Sequence, residues 1–156
     1  MKINVIGFYK IKKINKLKKH QNLLKKIFFK KFVKGIVIIT PEGINGTIAG
    51  KKKNINECID YIKKKFYIKK FDSKSSSKVE YQPFNKPKIK IKKEVIPIGL
   101  KLTTLEKEKH KYIEPKNWNK LIKNKDVTLI DVRKTMEFKL GTFKYAIDPG
   151  IKNFRQ

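Results

Sequence analysis

Hydrophobic and polar positions change period along the chain, and the changes mark out elements. Residues 3–9, INVIGFY, are apolar and β-branched and read as a buried strand. Ile14, Leu17, Leu24, Ile27, Phe28 and Phe32 then recur on one face of a helical wheel with lysines between, predicting a helix over 14–33 that Gly35 stops. GIVIIT (35–40) is a second buried strand, PEGING (41–46) is turn chemistry, and TIA (47–49) a short return strand. Ile55, Ile59, Ile62 and Phe66 repeat at helical spacing and predict a second helix over 52–67. FDSKSSSK (71–78) reads as a polar loop, VEYQ (79–82) as a short strand, and KIKIKKEVIPI (88–98) as a longer one. In the last, apolar positions are odd at Ile89 and Ile91 but even at Ile96 and Ile98, so a bulge or break is expected near Lys92–Lys93.

The resulting order is β-α-β-β-α-β, the split βαβ, ferredoxin-like arrangement of class α+β: a mostly antiparallel sheet with two helices on one face. Residues 99–115 lack periodicity and read as a linker. Beyond Pro115, residues 117–122 suggest a short helix anchored by Trp118. VTLIDV (127–132) suggests a buried strand, and 135–140 another helix ended by Gly141. That strand–helix sequence opens an α/β domain, and 116–156 is too short to complete one. The expected division is therefore 1–98, a linker 99–115, and an incomplete domain 116–156.

Charge adds a partner to this picture. The 156 residues carry a formal net charge of +28, from 41 Lys+Arg against 13 Asp+Glu. Such an excess points to a polyanion: RNA, DNA or an anionic membrane surface. Residues 1–100 hold net +21 and residues 101–156 net +7, so the first part is the better candidate for touching phosphate. The bases are 39 Lys and 2 Arg, alongside 23 Ile, 11 Asn and 2 Ala. A/T-rich codons give the same skew, so drift of a solvated surface stands beside nucleic-acid binding as a reading. Leu, Ile, Val and Phe make up 49 residues, enough for a packed core. No apolar run is long enough for a membrane span, and no signal peptide is evident. Cys58, the sole cysteine, allows no internal disulfide, and the expected setting is the reducing cytoplasm.

Three stretches carry a family likeness. GIVIITPEGINGTIAG (35–50), QPFNKPKIKIKKEVIPIG (82–99) and DVRKTMEFKLGTFKYAIDPGIKNFR (131–155) resemble, in order, the blocks of bacterial rhodanese-domain-containing tRNA uridine hydroxylases. The resemblance implies an acylphosphatase-like domain before the truncated start of a rhodanese domain. It implies hydroxylation of the wobble uridine of tRNA at carbon 5, with molecular oxygen as co-substrate and tRNA as partner. The family's catalytic cysteine belongs to a rhodanese loop where backbone N–H groups lower the thiol pKa. The sequence reaches Gln156 before such a loop. No catalytic residue is therefore expected among these positions, and the chain reads as a fragment, a frameshifted gene or a decaying one. A small basic RNA-binding protein without chemistry and a rhodanese-type sulfurtransferase fragment are the alternatives.

Individual residues sort as follows. Cys58 sits among Ile55, Ile59 and Ile62 and is expected to be a buried, unreactive thiol. His20 and His110 have no metal-ligand spacing around them, and no metal site is expected. Gly43 and Gly46, with Asn45, are candidates for an RNA-contacting loop in which glycines take φ > 0 and bare their N–H groups, or for a plain structural hairpin. Lys88, Lys90 and Lys92 share one strand face and are candidates for phosphate contact, although without an evident row of stacking aromatics. Arg133 is expected to pair with Glu137, one helical turn on.

Overall fold

The computed structural model describes residues 2–95 and 113–152, so the segment 96–98 and residues 99–112 of the region read as a linker, including His110, lie outside the described residues. The chain divides into two units, residues 1–96 and 97–156.

The first unit is a five-stranded sheet with two helices. Its order is β1 (Ile3–Ile11), α1 (Leu17–Lys30), β2 (Lys34–Thr40), β3 (Gly43–Gly50), α2 (Lys52–Phe66), β4 (Ser73–Val79) and β5 (Pro87–Ile91). Spatially the strands run β4-β1-β3-β2-β5. All neighbours are antiparallel except β2 and β5, which are parallel. Both helices lie on one face. Leu24 and Phe28 from α1 and Ile55, Ile59 and Ile62 from α2 join Ile6, Phe8, Val37, Ile39, Ile44 and Ile48 in a single core. Side chains in a strand alternate between faces, so only one of the two faces receives this cover. Gln21, buried within α1, donates from Nε2 to the Ile89 carbonyl at 2.7 Å and ties that helix to the edge strand β5.

Several expectations are corrected. The segment 71–78 is not a loop: Ser73–Val79 form β4, paired residue for residue with β1. Its side chains are nearly all exposed, so no hydrophobic period marks it, and main-chain pairing alone makes the strand. The expected strand 79–82 shrinks to Val79, the last residue of β4. The strand expected over 88–98 is β5, Pro87–Ile91, and it breaks at Lys92–Lys93 as the change of apolar period requires. α1 spans Leu17–Lys30, inside the expected 14–33, and ends before Gly35 is reached. Phe32 takes the left-handed conformation (φ 52°) and Val33 N–H closes on the Phe28 carbonyl at 3.0 Å, an ending usually built with glycine. Gly35 instead lies within β2. A Cβ there would stand 2.2 Å from the Thr47 carbonyl oxygen, so glycine permits that close approach of strands.

In the second unit, α3 (Pro115–Leu121) begins on Pro115 and α4 (Thr135–Leu140) ends at Gly141. Trp118 packs on Phe143 with ring centroids 5.0 Å apart. The expected strand 127–132 is a single parallel bridge, Ile130 with Ile147. A strand needs a partner ladder, and among the described residues only the pair Asp131 N–H to Ile147 O (3.0 Å) and Ile147 N–H to Leu129 O (2.9 Å) supplies one. Ile130, Val132 and Ile147 are each more than half exposed.

Phe28 is fully buried between the two helices and the sheet. Phe28→Ala is expected to destabilise the first unit by about 3–5 kcal/mol, read as a loss in denaturant midpoint at constant slope.

Candidate nucleic-acid interface

The face of the sheet away from α1 and α2 is built by the strand positions that the core does not use. Register gives its rows directly. One row runs Ser73, Tyr9, Asn45, Ile38, Lys90, and the next Ser75, Gly7, Thr47, Ile36, Lys88. The alternation in burial agrees: Ile6 and Phe8 are buried in the core, while Val5, Tyr9 and Ile11 are half-buried. Ala49 is fully buried yet outside the core cluster, because it sits on this second face beside Val5 and Lys34. Gly7, in the middle of the face, makes room for the Ser75 side chain: a Cβ there would stand 2.7 Å from Ser75 Oγ and 3.9 Å from Thr47 Oγ1.

The predicted site residues are divided by this arrangement. Lys88 and Lys90 are exposed on β5, on the open face, and Asn45 joins them from the central strand. Lys92 lies one residue past β5, exposed, with its N–H donating to the Ile39 carbonyl at 3.1 Å. Gly43 and Gly46 do not form the expected loop. The turn is only Pro41–Glu42, and both glycines are strand residues of β3 without positive φ. Their hydrogen-bonding groups belong to a strand paired on both sides. What they provide is room: a Cβ on Gly43 would stand 2.3 Å from the Lys10 carbonyl oxygen, and one on Gly46 would stand 2.8 Å from Phe8 Cζ. The turn carbonyls are also taken, Glu42 O by Lys12 N–H and Pro41 O by Ile14 N–H, each at 2.9 Å.

Sequence reasoning missed Tyr9, Thr47 and Lys34. The first stretch was read as uniformly buried, yet its parity separates Tyr9 from Ile6 and Phe8. None of the strand positions in the whole sheet is Asp or Glu. A second basic cluster, Lys12, Lys13, Lys16, Lys19 and Lys65, surrounds His20 at the head of α1. Burial, then Lys19 and Lys65, lowers the pKa of that imidazole.

Cys58 is buried in α2, and its thiol is pushed up to about 12, first by burial and then by Glu57, with Lys31 opposing. In the second unit Arg133 pairs with Asp131 (Nη2 to Oδ2, 2.6 Å), not with Glu137, and also donates to the Gly141 carbonyl at 2.7 Å. Glu137 instead accepts from the Lys134 N–H at the start of α4. Arg133, helped by the Thr142 hydroxyl, holds the Asp131 carboxyl well below the usual carboxylate range. Among the described residues no group of His, Cys, Asp and Glu is placed to hold a metal ion, and no helix is long and apolar enough to cross a membrane.

The βαββαβ order from β1 to β4, extended by the edge strand β5 and with both helices on one sheet face, defines an α+β domain of the acylphosphatase-like kind. Residues 3–95 match the UPF0176 acylphosphatase-like domain, and the chain belongs to that family. It is 49% identical over 153 residues to the tRNA uridine(34) hydroxylase of Pelagibacter ubique (strain HTCC1062), covering 98% of this chain and 50% of that protein. The chain thus spans half the length of this curated relative. Among solved structures, an acylphosphatase from Coxiella burnetii is 6% identical, with a TM-score of 0.40, over 58% of this chain and 93% of that one. Full-length HypF, in its phosphate- and nucleotide-bound form, is 22% identical with a TM-score of 0.41, over 61% of this chain and 12% of that one.

Two outcomes follow from these placements. Gly46→Ala is expected to cost about 1–3 kcal/mol of stability by overpacking against Phe8, while the folded variant keeps its RNA affinity. Cys58 is expected to resist a thiol-specific disulfide reagent in the native protein and to react at once in denaturant. Because the folded thiol titrates above its ordinary value near 9, its contribution to stability is complete below that value and is lost as pH rises towards 12, read as a falling melting temperature.

Proposed function

We propose that this chain serves the hydroxylation of the wobble uridine of tRNA, supplying the domain that engages the tRNA, with molecular oxygen as co-substrate and the cytoplasm as its setting. The observation that carries this reading is the 49% identity, sustained across 98% of the chain, to a protein named tRNA uridine(34) hydroxylase. The basic, acid-free sheet supports it, since a polyanionic substrate needs a surface without competing carboxylates. Residues 116–156 are read as the opening of a rhodanese-like α/β domain. The parallel bridge between Ile130 and Ile147, with α4 between them, is the start of a βαβ unit and supports that reading.

Residues 1–156 expressed alone are expected to bind tRNA, with affinity falling roughly tenfold or more when salt rises from about 50 to about 200 mM. They are not expected to modify it, because the sole thiol in these residues is buried and protonated. The test is to express them in cells lacking a native hydroxylase and to analyse tRNA for 5-hydroxyuridine. Restored modification that disappears with Cys58→Ala would overturn the reading of that thiol. Restoration that survives the change would put the chemistry elsewhere in these residues. Absence of tRNA binding would sink the proposal itself.

A further inference from the structure

We propose that the open face of the sheet is a platform for unpaired RNA nucleotides, with Tyr9 as the stacking surface and Lys88, Lys90 and Lys34 holding the phosphates. The inference rests on the tRNA reading above and deepens it, naming where on the chain a loop of the substrate lies.

Charge alone does not choose a surface here, because lysines also cover α1, α2 and the cluster around His20. The open face differs in composition and shape. It brings together an aromatic ring, small polar side chains and lysines on adjacent strands, without a carboxylate in any strand position. Tyr9, Asn45, Ile38 and Lys90 are direct neighbours across four strands. A base laid on Tyr9 would have Asn45 beside it as both donor and acceptor for a base edge. Gly7, two residues back on the same face, carries no side chain, and the short hydroxyl side chains of Ser75 and Thr47 flank it. Lys90 and Lys88 stand on β5, three strand spacings from the strand of Tyr9, roughly 14 Å at the usual strand spacing. Long lysine side chains reach the backbone of a strand whose bases point inward. No helix or other strand of this unit covers these positions among the described residues, and Ile36 is 37% exposed there.

Single-stranded recognition follows from this shape. A flat sheet with one aromatic and flanking cations stacks splayed bases, whereas a duplex hides its base faces and offers only phosphate. A protein partner is the competing occupant for a half-apolar face, but it would gain nothing from the absence of every acid in the sheet.

The experiment uses residues 1–156 and two fluorescein-labelled RNAs with the same number of phosphates, a stem–loop with an open loop and a blunt duplex. Binding is measured with Tyr9→Ala, Tyr9→Phe, Lys88→Ala/Lys90→Ala and, as a matched control on exposed α1, Lys18→Ala/Lys25→Ala. Tyr9→Ala is expected to weaken the stem–loop roughly 5- to 100-fold and the duplex hardly at all. Tyr9→Phe should keep affinity within about twofold, since its ring still stacks. Lys88→Ala/Lys90→Ala should weaken both RNAs and lower the salt slope by about 2, against a smaller change for the α1 pair. Should Tyr9→Ala fail to fold, amide shift perturbation in the native protein gives the same information. Shifts confined to Tyr9, Asn45, Thr47 and Lys90 support the platform, and shifts confined to α1, α2 or the His20 cluster overturn it. Equal losses from the two lysine pairs, with Tyr9 silent and tRNA still bound, overturn the platform and leave the tRNA reading standing. Loss of all RNA binding in the unmodified chain overturns both.

Discussion

The fold depends on a single steric constraint, the room that glycine makes at the centre of the sheet. β3 lies between β1 and β2 and pairs along nearly its full length with both. At its midpoint Gly46 faces Phe8, and at its start Gly43 meets the Lys10 carbonyl so closely that a Cβ has no place. Larger residues would push β1 and β2 apart and uncouple the sheet from its helices. Once the strands are this close, Phe8, Val37, Ile44 and Ile48 form one continuous floor on which α1 and α2 rest. The two helices are enough to cover one face only, and the other face inherits whatever the alternate positions carry.

That inheritance explains which parts of the molecule were legible in the sequence. α1, α2, β1, β2 and the start of β5 announce themselves through Leu24, Phe28, Ile55, Ile62, Val37 and Ile89, because burial on one side imposes a period. β4 has no such period. Ser73 to Lys78 are exposed on both faces, and their conformation comes from pairing with β1, a long-range cause that local composition does not record. Asp72 helps to place it, accepting from Lys10 Nζ at 2.5 Å and from Ile11 N–H at 2.7 Å. Gly43 and Gly46 misled for a different reason: residues typical of turns also occur where strands must approach closely, and composition does not separate the two uses. Lys88, Lys90 and Asn45 were recognisable as candidates, but their place on the same sheet face as Tyr9 depends on strand order.

Charge and shape contribute differently to such a surface. The excess of lysine raises encounter with any polyanion and does so over much of the molecule. Lysine is a flexible point charge and lacks the planar fork with which arginine reads a phosphate or a guanine edge. A protein whose bases are almost all lysine must take its discrimination from elsewhere, from rings, amides and the contour of the backbone. In the first unit those features coincide on the sheet face that the helices leave open.

The link between β4 and β5 has a mechanical meaning. These strands occupy opposite edges of the sheet, and both Val79 and Pro87 lie at the same end, beside Ile3 and Gly35. The chain must therefore cross the full width, four strand spacings or about 19 Å. Its eight steps from Val79 to Pro87 reach at most about 27 Å. The connector is a strap with little slack, drawn across the end of the sheet and fastening its two outermost edges. A displacement of either edge strand is therefore resisted, through this connector, by the anchorage of the other.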